Sequence, residues 1–280
     1  MARFLPEAVE SVLAQDVPNL EYTVLDGGSD DGTVELLRSY GTRLTWRSEK
    51  DEGAAEALRR GFAAASGSIL GWLNADDVLL PGTLRAVLTA FEQHPGAVAV
   101  YGGGWWVEED GTRWKPYPVS PDAAAMLNRE CLICQPACFF RAAAYRACGG
   151  IDASLKSAFD YELWMRLSRL GPFVHVPGEW AHSRMHGSNK SLGQRGEVFR
   201  EAMAALERHY GYVPFQWVYG RLLYERDGRD QFFEELKPSM AAYARSLPAG
   251  LLRNRRHPLR YTQEWASQMS WSGLLRRLGR

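Results

Sequence analysis

Residues Ser68–Pro81 read SILGWLNADDVLLP, in which four apolar residues within a five-residue run, Ile69, Leu70, Trp72 and Leu73, stop at the adjacent carboxylates Asp76 and Asp77. The pattern is that of a buried strand delivering acid to a sheet edge. Two like charges at the end of a buried strand are tolerable only with something cationic between or beside them. Hard oxygen ligands suit Mg²⁺ or Mn²⁺, ions that complete their shells with substrate phosphates, so one expectation is a nucleotide or diphosphate site. The other is an acidic turn that caps the helix after Pro81.

Outward from this segment, strand-like and helix-like stretches alternate through the first two thirds of the chain, the signature of a doubly wound α/β sheet. Glu21–Asp26 (EYTVLD) reads as a strand ending on an acid, followed by the loop GGSDDG and a helix from Thr33. Leu44–Ser48 is a shorter strand, and Gly53–Ala65, with small or apolar residues at 54, 57, 58, 61, 62 and 65, is a helix. Pro81 opens the next helix, with Leu84, Val87, Leu88 and Phe91 as its buried stripe. Val98–Tyr101 is a strand, and a hairpin around Glu109–Gly111 follows, with Trp105, Trp106 and Trp114 on its arms. Beyond Asp122 come a short helix, a Cys-rich apolar strand and a helix from about Asp160 to Leu170. After Gly211 the prolines 214, 238, 248 and 258 punctuate an aromatic, basic stretch into short helices. The expected organisation is an α/β domain over residues 1–210 and a helical appendage over 211–280. Ligands of open α/β sheets bind outside the carboxyl ends of strands, so Asp26 and Asp76/Asp77 are expected to face one crevice. Residues Phe4–Ala14 already form a helical stripe (Leu5, Val9, Val12, Leu13) with no strand before it. Because a doubly wound sheet starts on a strand, an upstream one is expected.

At 280 residues and 46% hydrophobic content, the chain can bury one substantial core with an appended segment, which excludes a disordered or fibrous protein. Lys+Arg and Asp+Glu both number 33, so no global charge points to nucleic acid. The distribution is uneven: residues 251–280 hold seven arginines against one acid, Glu264. That tail is open to two readings, peripheral contact with an anionic membrane or a solvated face. The four cysteines, Cys131, Cys134, Cys138 and Cys148, include a C-x₂-C-x₃-C cluster that raises zinc. They sit in the apolar run CLICQPACFF, where reduced cysteine serves as a small hydrophobe, and a reducing compartment fits them better than a disulfide framework. No apolar run reaches membrane-spanning length and no charged-then-apolar leader opens the sequence, so the expectation is a chain that neither spans a bilayer nor is exported by this sequence.

Several blocks in order, FLPEAVESVLAQD, YTVLDGGSDDGT, Asp51–Gly53, GWLNADDVLLPG, ICQPACFFR and FDYELWMRL, resemble the family-2 glycosyltransferases over about Arg3–Ser191. The resemblance implies a GT-A type doubly wound mixed sheet and inverting transfer from a nucleotide-diphosphate sugar to a hydroxyl of a glycan or lipid-linked acceptor. It implies that Asp26 and its loop contact base and ribose, with Asp30 and Asp31 better read as helix caps, and that Asp51 is a further nucleotide-site acid. Glu52 stands where the family often has a basic residue and Arg59 where Asn is common. LNADD resembles the D-x-D metal motif, with Asn74 replacing its first Asp and Asp76 and Asp77 retained to hold Mg²⁺ or Mn²⁺. Asp160 matches the position of the catalytic base, its other reading being a helix N-cap. His186, in SRMHGSNKS, matches a late His near the diphosphate that ligates metal or bonds phosphate beside Arg184 and Lys190; a solvated loop His is the alternative. Gln135-Pro136 resembles the acceptor-side turn, and Trp105 and Trp106 are either sugar platforms or packing. The implied setting is cytoplasmic, with the 251–280 tail as the site of any peripheral membrane contact. Two further readings stay open: a catalytically inactive glycan- or nucleotide-binding module of the same fold, and a sugar nucleotidyltransferase.

Overall fold

The computed structural model describes residues 1–187, 189–228 and 238–268, without the side chains of Lys190 and Ser191. Of the basic tail, residues 269–280, with Arg276, Arg277 and Arg280, lie outside the described residues, as does the side chain of Lys190 that was expected beside His186. The chain forms two compact units, Met1–Gly193 and Gln194–Arg280. The division falls earlier than the expected one after residue 210, because the helix Arg195–Tyr210 belongs to the second unit.

In chain order the first unit runs α1 (Leu5–Leu13), β1 (Thr23–Asp26), α2 (Thr33–Ser39), β2 (Thr45–Ser48), α3 (Ala54–Ala64), β3 (Ile69–Leu70), β4 (Val78–Leu79), α4 (Thr83–Gln93), β5 (Ala99–Val107), β6 (Arg113–Pro116), α5 (Ala123–Met126), β7 (Cys138–Arg141), α6 (Ala142–Ala147), α7 (Phe159–Leu167), β8 (Phe173–Arg184) and α8 (Lys190–Gly193). β1 and β2 pair in parallel as a two-stranded sheet. The larger sheet has the order β3-β7-β5-β8-β4, with β6 on β5; β5–β8 is parallel and the other pairs antiparallel. The sheet is therefore mixed, and among the described residues β1 ladders with β2 and β3 with β7, with no rung between the two sheets.

Local sequence explains most of these elements. In α1, Leu5, Ala8, Val9 and Val12 fall on one face and are buried, the i, i+3, i+4, i+7 stripe of an amphipathic helix. Its polar residues tie it to the strand after the paired acids: the Ser11 hydroxyl accepts from Leu79 N–H, while Gln15 donates to Leu80 O and accepts from Leu84 N–H. α4 starts at Thr83, after a left-handed Gly82, with Pro81 in the preceding turn; it buries Thr83, Val87, Ala90 and Phe91, and Leu84 and Leu88 are only half-buried. The expected strand Ser68–Leu73 ladders only at Ile69–Leu70, because the Trp72 carbonyl is taken by the Gln135 side chain (2.9 Å) instead of a neighbouring strand. Trp72 stacks on the fully buried Trp164 of α7, ring centroids 5.5 Å apart, and Phe62 and Phe140 meet it edge-on. That cluster fixes the start of α7 against the segment carrying the acids.

The second unit is helical: α9 (Arg195–Tyr210), α10 (Phe215–Asp227), α11 (Met240–Arg253) and α12 (Pro258–Ser267). Pro214 and Pro258 stand at helix starts as expected, whereas Pro248 lies inside α11, where it removes one ladder bond without ending the helix. α11 meets α12 at Gly250, where a Cβ would sit 1.8 Å from Cζ of the buried Tyr261, whose hydroxyl donates to Ser246 O. Overpacking of such a contact costs roughly 1–3 kcal/mol. Gly250→Ala is accordingly expected to lower the Tm of the full chain in thermal unfolding; an unchanged or higher Tm would contradict the close α11–α12 contact.

Candidate active site

The antiparallel pairing of β4 with β8 sets Val78 across from His182 and Leu79 across from Ala181. Continued toward the acids, the same register brings Asp77 opposite Ser183 and Asp76 opposite Arg184, with His186 just beyond. The side chains meet accordingly: His186 Nε2 lies 3.0 Å from Asp76 Oδ2, and both residues are buried. Asp77 is committed elsewhere. Its Oδ1 accepts from Arg184 N–H (2.9 Å), its Oδ2 accepts from Asn74 Nδ2 (2.9 Å), and the Ser183 side chain bonds it as well. Burial and the neighbouring Asp76 charge push the Asp77 carboxyl up, against the pull of those hydrogen bonds.

Asn74 donates to both Asp77 and Gln135 Oε1 (3.1 Å), which leaves its carbonyl oxygen as the group it can offer a cation. An amide oxygen, a carboxylate and an imidazole form a donor set that Mg²⁺ or Mn²⁺ accepts when phosphate oxygens complete the shell. Among the described residues no group of three or more His, Cys, Asp or Glu side chains is placed to enclose an ion. The two groups that meet here are the buried Asp76 and His186, the latter with the Phe4 ring packed on it at 4.9 Å.

Arg184 is the residue whose role the sequence did not reveal. Its guanidinium is 3% exposed and donates to Asp76 O (3.0 Å), Glu109 O (2.8 Å) and Glu7 Oε2, while lying over the Phe4 ring. It is spent on holding the acidic turn, the β5–β6 hairpin and α1 together, and not on reaching a phosphate. Gln135 was equally hidden: its side chain links Trp72 O to Asn74, so its place in the Gln135-Pro136 turn fixes the acidic segment. No periodicity marks a buried side-chain amide of this kind. Trp105 and Trp106 lie under cations, Arg113 at 4.8 Å from one ring and Lys115 at 4.8 Å from the other, and Trp105 also donates to Glu179.

Two further acids lie at the end of β1 (Asp26) and just after β2 (Asp51). Asp26 accepts from the N–H groups of Gly28 and Ser29 (3.1 Å each) and from the Ser48 hydroxyl (2.6 Å). Burial works against its charge, but the Ser29 and Ser48 hydroxyls and those N–H groups outweigh it and hold the carboxyl below its usual range. Asp51 lies against Gly27, where a Cβ would come within 2.8 Å of its Oδ2 and make the carboxylate shift. Both line a groove of about 200 Å³ with Thr23, Leu25, Arg47 and Arg60. Asp31 accepts from the N–H and hydroxyl of Thr33 through Oδ1 and from Ala2 N–H and the Met1 ammonium through Oδ2, while Gly32 is the cap of α2.

Asp160 occupies the first turn of α7, and its Oδ1 accepts from Tyr161 N–H (2.7 Å). Burial pushes its carboxyl up to about 6, with that N–H pulling the other way. It lies within electrostatic reach of Cys131 and Cys138, and Asp77 within reach of Cys134. All four cysteines are free thiols, and burial raises the pKa of Cys131, Cys134 and Cys138 far enough to close them to thiolate chemistry at neutral pH. Glu162, the other acid of this helix, is paired with Arg166 through Oε1 (2.8 Å) and Oε2, so it does not share the place of Asp160.

Comparison with known proteins identifies the family of the chain. The profile of glycosyl transferase family 2 covers residues 2–148. A chondroitin synthase of Escherichia coli is 27% identical over 200 residues, 68% of this chain and 28% of that protein. A hyaluronan synthase of Pasteurella multocida is 27% identical over 204 residues, 70% of this chain and 20% of that protein. The chain thus spans less than a third of the length of either relative. Among solved structures, S. aureus TarS 1–349 in complex with UDP-GlcNAc superposes with a TM-score of 0.61 at 15% identity, over 90% of this chain and 78% of that one. The mannosyltransferase PcManGT from Pyrobaculum calidifontis, in complex with GDP-Man and Mn²⁺, gives 0.54 at 16% identity, over 98% and 74%. The mixed sheet is that of the GT-A type transferases, and the chain belongs to glycosyl transferase family 2.

Proposed function

We propose that this chain moves one sugar from a nucleoside-diphosphate donor to a hydroxyl of a glycan or lipid-linked acceptor by a single displacement that inverts the anomeric centre. The observation that carries the reading is the buried Asp76–His186 pair, 3.0 Å apart, on the turn where Asn74 bonds the neighbouring Asp77. It supplies an anionic edge where a donor diphosphate and a divalent cation complete each other's coordination. Two structural neighbours are complexes with donors of this class, UDP-GlcNAc in one and GDP-Man with Mn²⁺ in the other. The names of the two synthases favour a glycan acceptor. Four free thiols suit a cytoplasmic setting.

In this reading the groove bearing Asp26 and Asp51 takes the base and ribose, its carboxylates accepting from base N–H or ribose hydroxyl groups. Asp76, His186 and the Asn74 carbonyl would hold Mg²⁺ or Mn²⁺, which, when bound, offsets the charge growing on the departing nucleoside diphosphate. Asp77 and Arg184 keep that edge in place. Asp160 takes the acceptor proton as the acceptor oxygen attacks the anomeric carbon and the bond from that carbon to the diphosphate breaks. A carboxylate whose pKa sits near 6 is ionised at neutral pH and is a stronger base than an ordinary Asp.

Binding of donor is expected to raise the Tm more with Mn²⁺ than without it. Asp76→Ala should abolish that metal-dependent increment; an increment of wild-type size would refute the assignment of Asp76.

Asp160→Asn should keep donor binding and lower transfer by about 10²–10⁴-fold, the usual worth of a general base. In the wild type, kcat/KM for the acceptor should rise with pH to a plateau above about 6. The raised folded-state pKa means that the native protein binds the extra proton between about 4 and 6, so this group's contribution to stability falls as pH rises through that window. Asp160→Asn escapes the cost and should unfold at a higher Tm than wild type at pH 8. Full turnover in the variant would end the assignment.

Arg184→Met removes the donor to Asp76 O and Glu109 O and should cost about 3 kcal/mol in denaturant unfolding. Arg184→Lys, a point cation without the planar fork, should recover less than half of the loss. A Met variant as stable as wild type would show that the turn holds itself.

A further inference from the structure

The geometry points to the corner between α11 and α12 as a docking surface for an anionic lipid bilayer. Two leucines flank this corner in the open: Leu252 is 61% exposed, and Leu259, at 78%, is the most exposed large apolar side chain among the described residues. Arg255, Arg256 and Arg260 are exposed on the same ten-residue stretch, Arg253 is half-buried there, and residues 251–260 contain no acid. In a chain with no net charge overall, this is a local concentration of one sign.

The corner is held rigid from within. Asn254 is 1% exposed, and its Oδ1 accepts from Val213 N–H (2.8 Å) while its Nδ2 donates to Val213 O and Gly250 O (3.0 Å each). His257 N–H donates to Asn254 O (2.8 Å), closing the turn, and the Arg260 guanidinium lies 3.7 Å from the Tyr212 ring centroid. Folding has therefore already met the entropy of ordering the backbone that presents these side chains.

The chemistry of the patch selects its partner. Exposed leucines gain only where an apolar phase receives them, and arginines beside them gain where phosphates lie at the boundary of that phase; the lipid interface offers both together. A nucleic acid would satisfy the arginines and leave both leucines in water. The expectation from sequence covered the whole of 251–280; the docking surface is confined to residues 251–260, which are described. This surface is independent of the transfer chemistry, so its failure would leave that reading untouched.

The test is flotation of the full chain with phosphatidylcholine vesicles containing 30% phosphatidylglycerol, with pure phosphatidylcholine as control. Wild type should float with the anionic vesicles, lose most of that partition at 0.5 M salt, and stay behind with the neutral ones. Leu252→Ser combined with Leu259→Ser should weaken partitioning at least tenfold at unchanged Tm, and Arg255→Glu combined with Arg256→Glu should do the same. Equal flotation of wild type and both variants would overturn the proposal, as would no flotation of wild type. A loss with the arginine variant alone, alongside salt-sensitive retention of wild type on single-stranded DNA, would also overturn it by showing a general polyanion surface.

Discussion

Two adjacent carboxylates held out of water at the start of β4 are the constraint that the rest of the first unit answers. Neither Asp76 nor Asp77 is stable there without partners, since an unpaired buried charge costs several kcal/mol. The β4–β8 register supplies them from one short stretch of chain: Ser183 and the Arg184 N–H for Asp77, the Arg184 guanidinium for the Asp76 carbonyl, and the His186 ring for the Asp76 carboxylate. The two acids thereby divide their work. Asp77 is held by three hydrogen bonds from the fold, and the Asp76 carboxylate faces the His186 imidazole.

The same economy of position links the acidic edge to Asp160. Trp72 precedes the acids by a few residues and stacks on Trp164, which lies one helical turn beyond Asp160 on α7. A buried aromatic contact thus links the segment carrying the acids to the helix carrying Asp160. Desolvation in this apolar neighbourhood also raises the Asp160 pKa, so packing and basicity have one cause.

Much of this was legible in the sequence because it rests on periodicity and punctuation. The stripe Leu5, Val9 and Val12 predicts α1, the run ending at Asp26 predicts β1, and the acids after Trp72 and Leu73 mark a buried turn. What escaped depends on contacts between residues far apart in the chain. Arg184 looks like a phosphate ligand from its place beside His186, and only the packing of α1, the hairpin and the acidic turn around it shows that it is enclosed. Pro248 looks like a helix breaker, yet α11 continues through it with Gly250 packed on Tyr261. The Asn74 substitution within the acidic motif reads as a lost charge; in the fold its amide also donates to Asp77 and Gln135, which a carboxylate could not do.

The central claim is that Asp76 and His186, and not Asp77, form the protein's edge of a cation–diphosphate site. Anomalous diffraction from crystals soaked with Mn²⁺ and a nucleoside diphosphate tests it most directly. The account predicts one manganese peak in contact with Asp76 and His186, with Asp77 still bonded to Asn74 and Arg184. A peak ligated by Asp77, or none beside Asp76 when the diphosphate is bound, would contradict it.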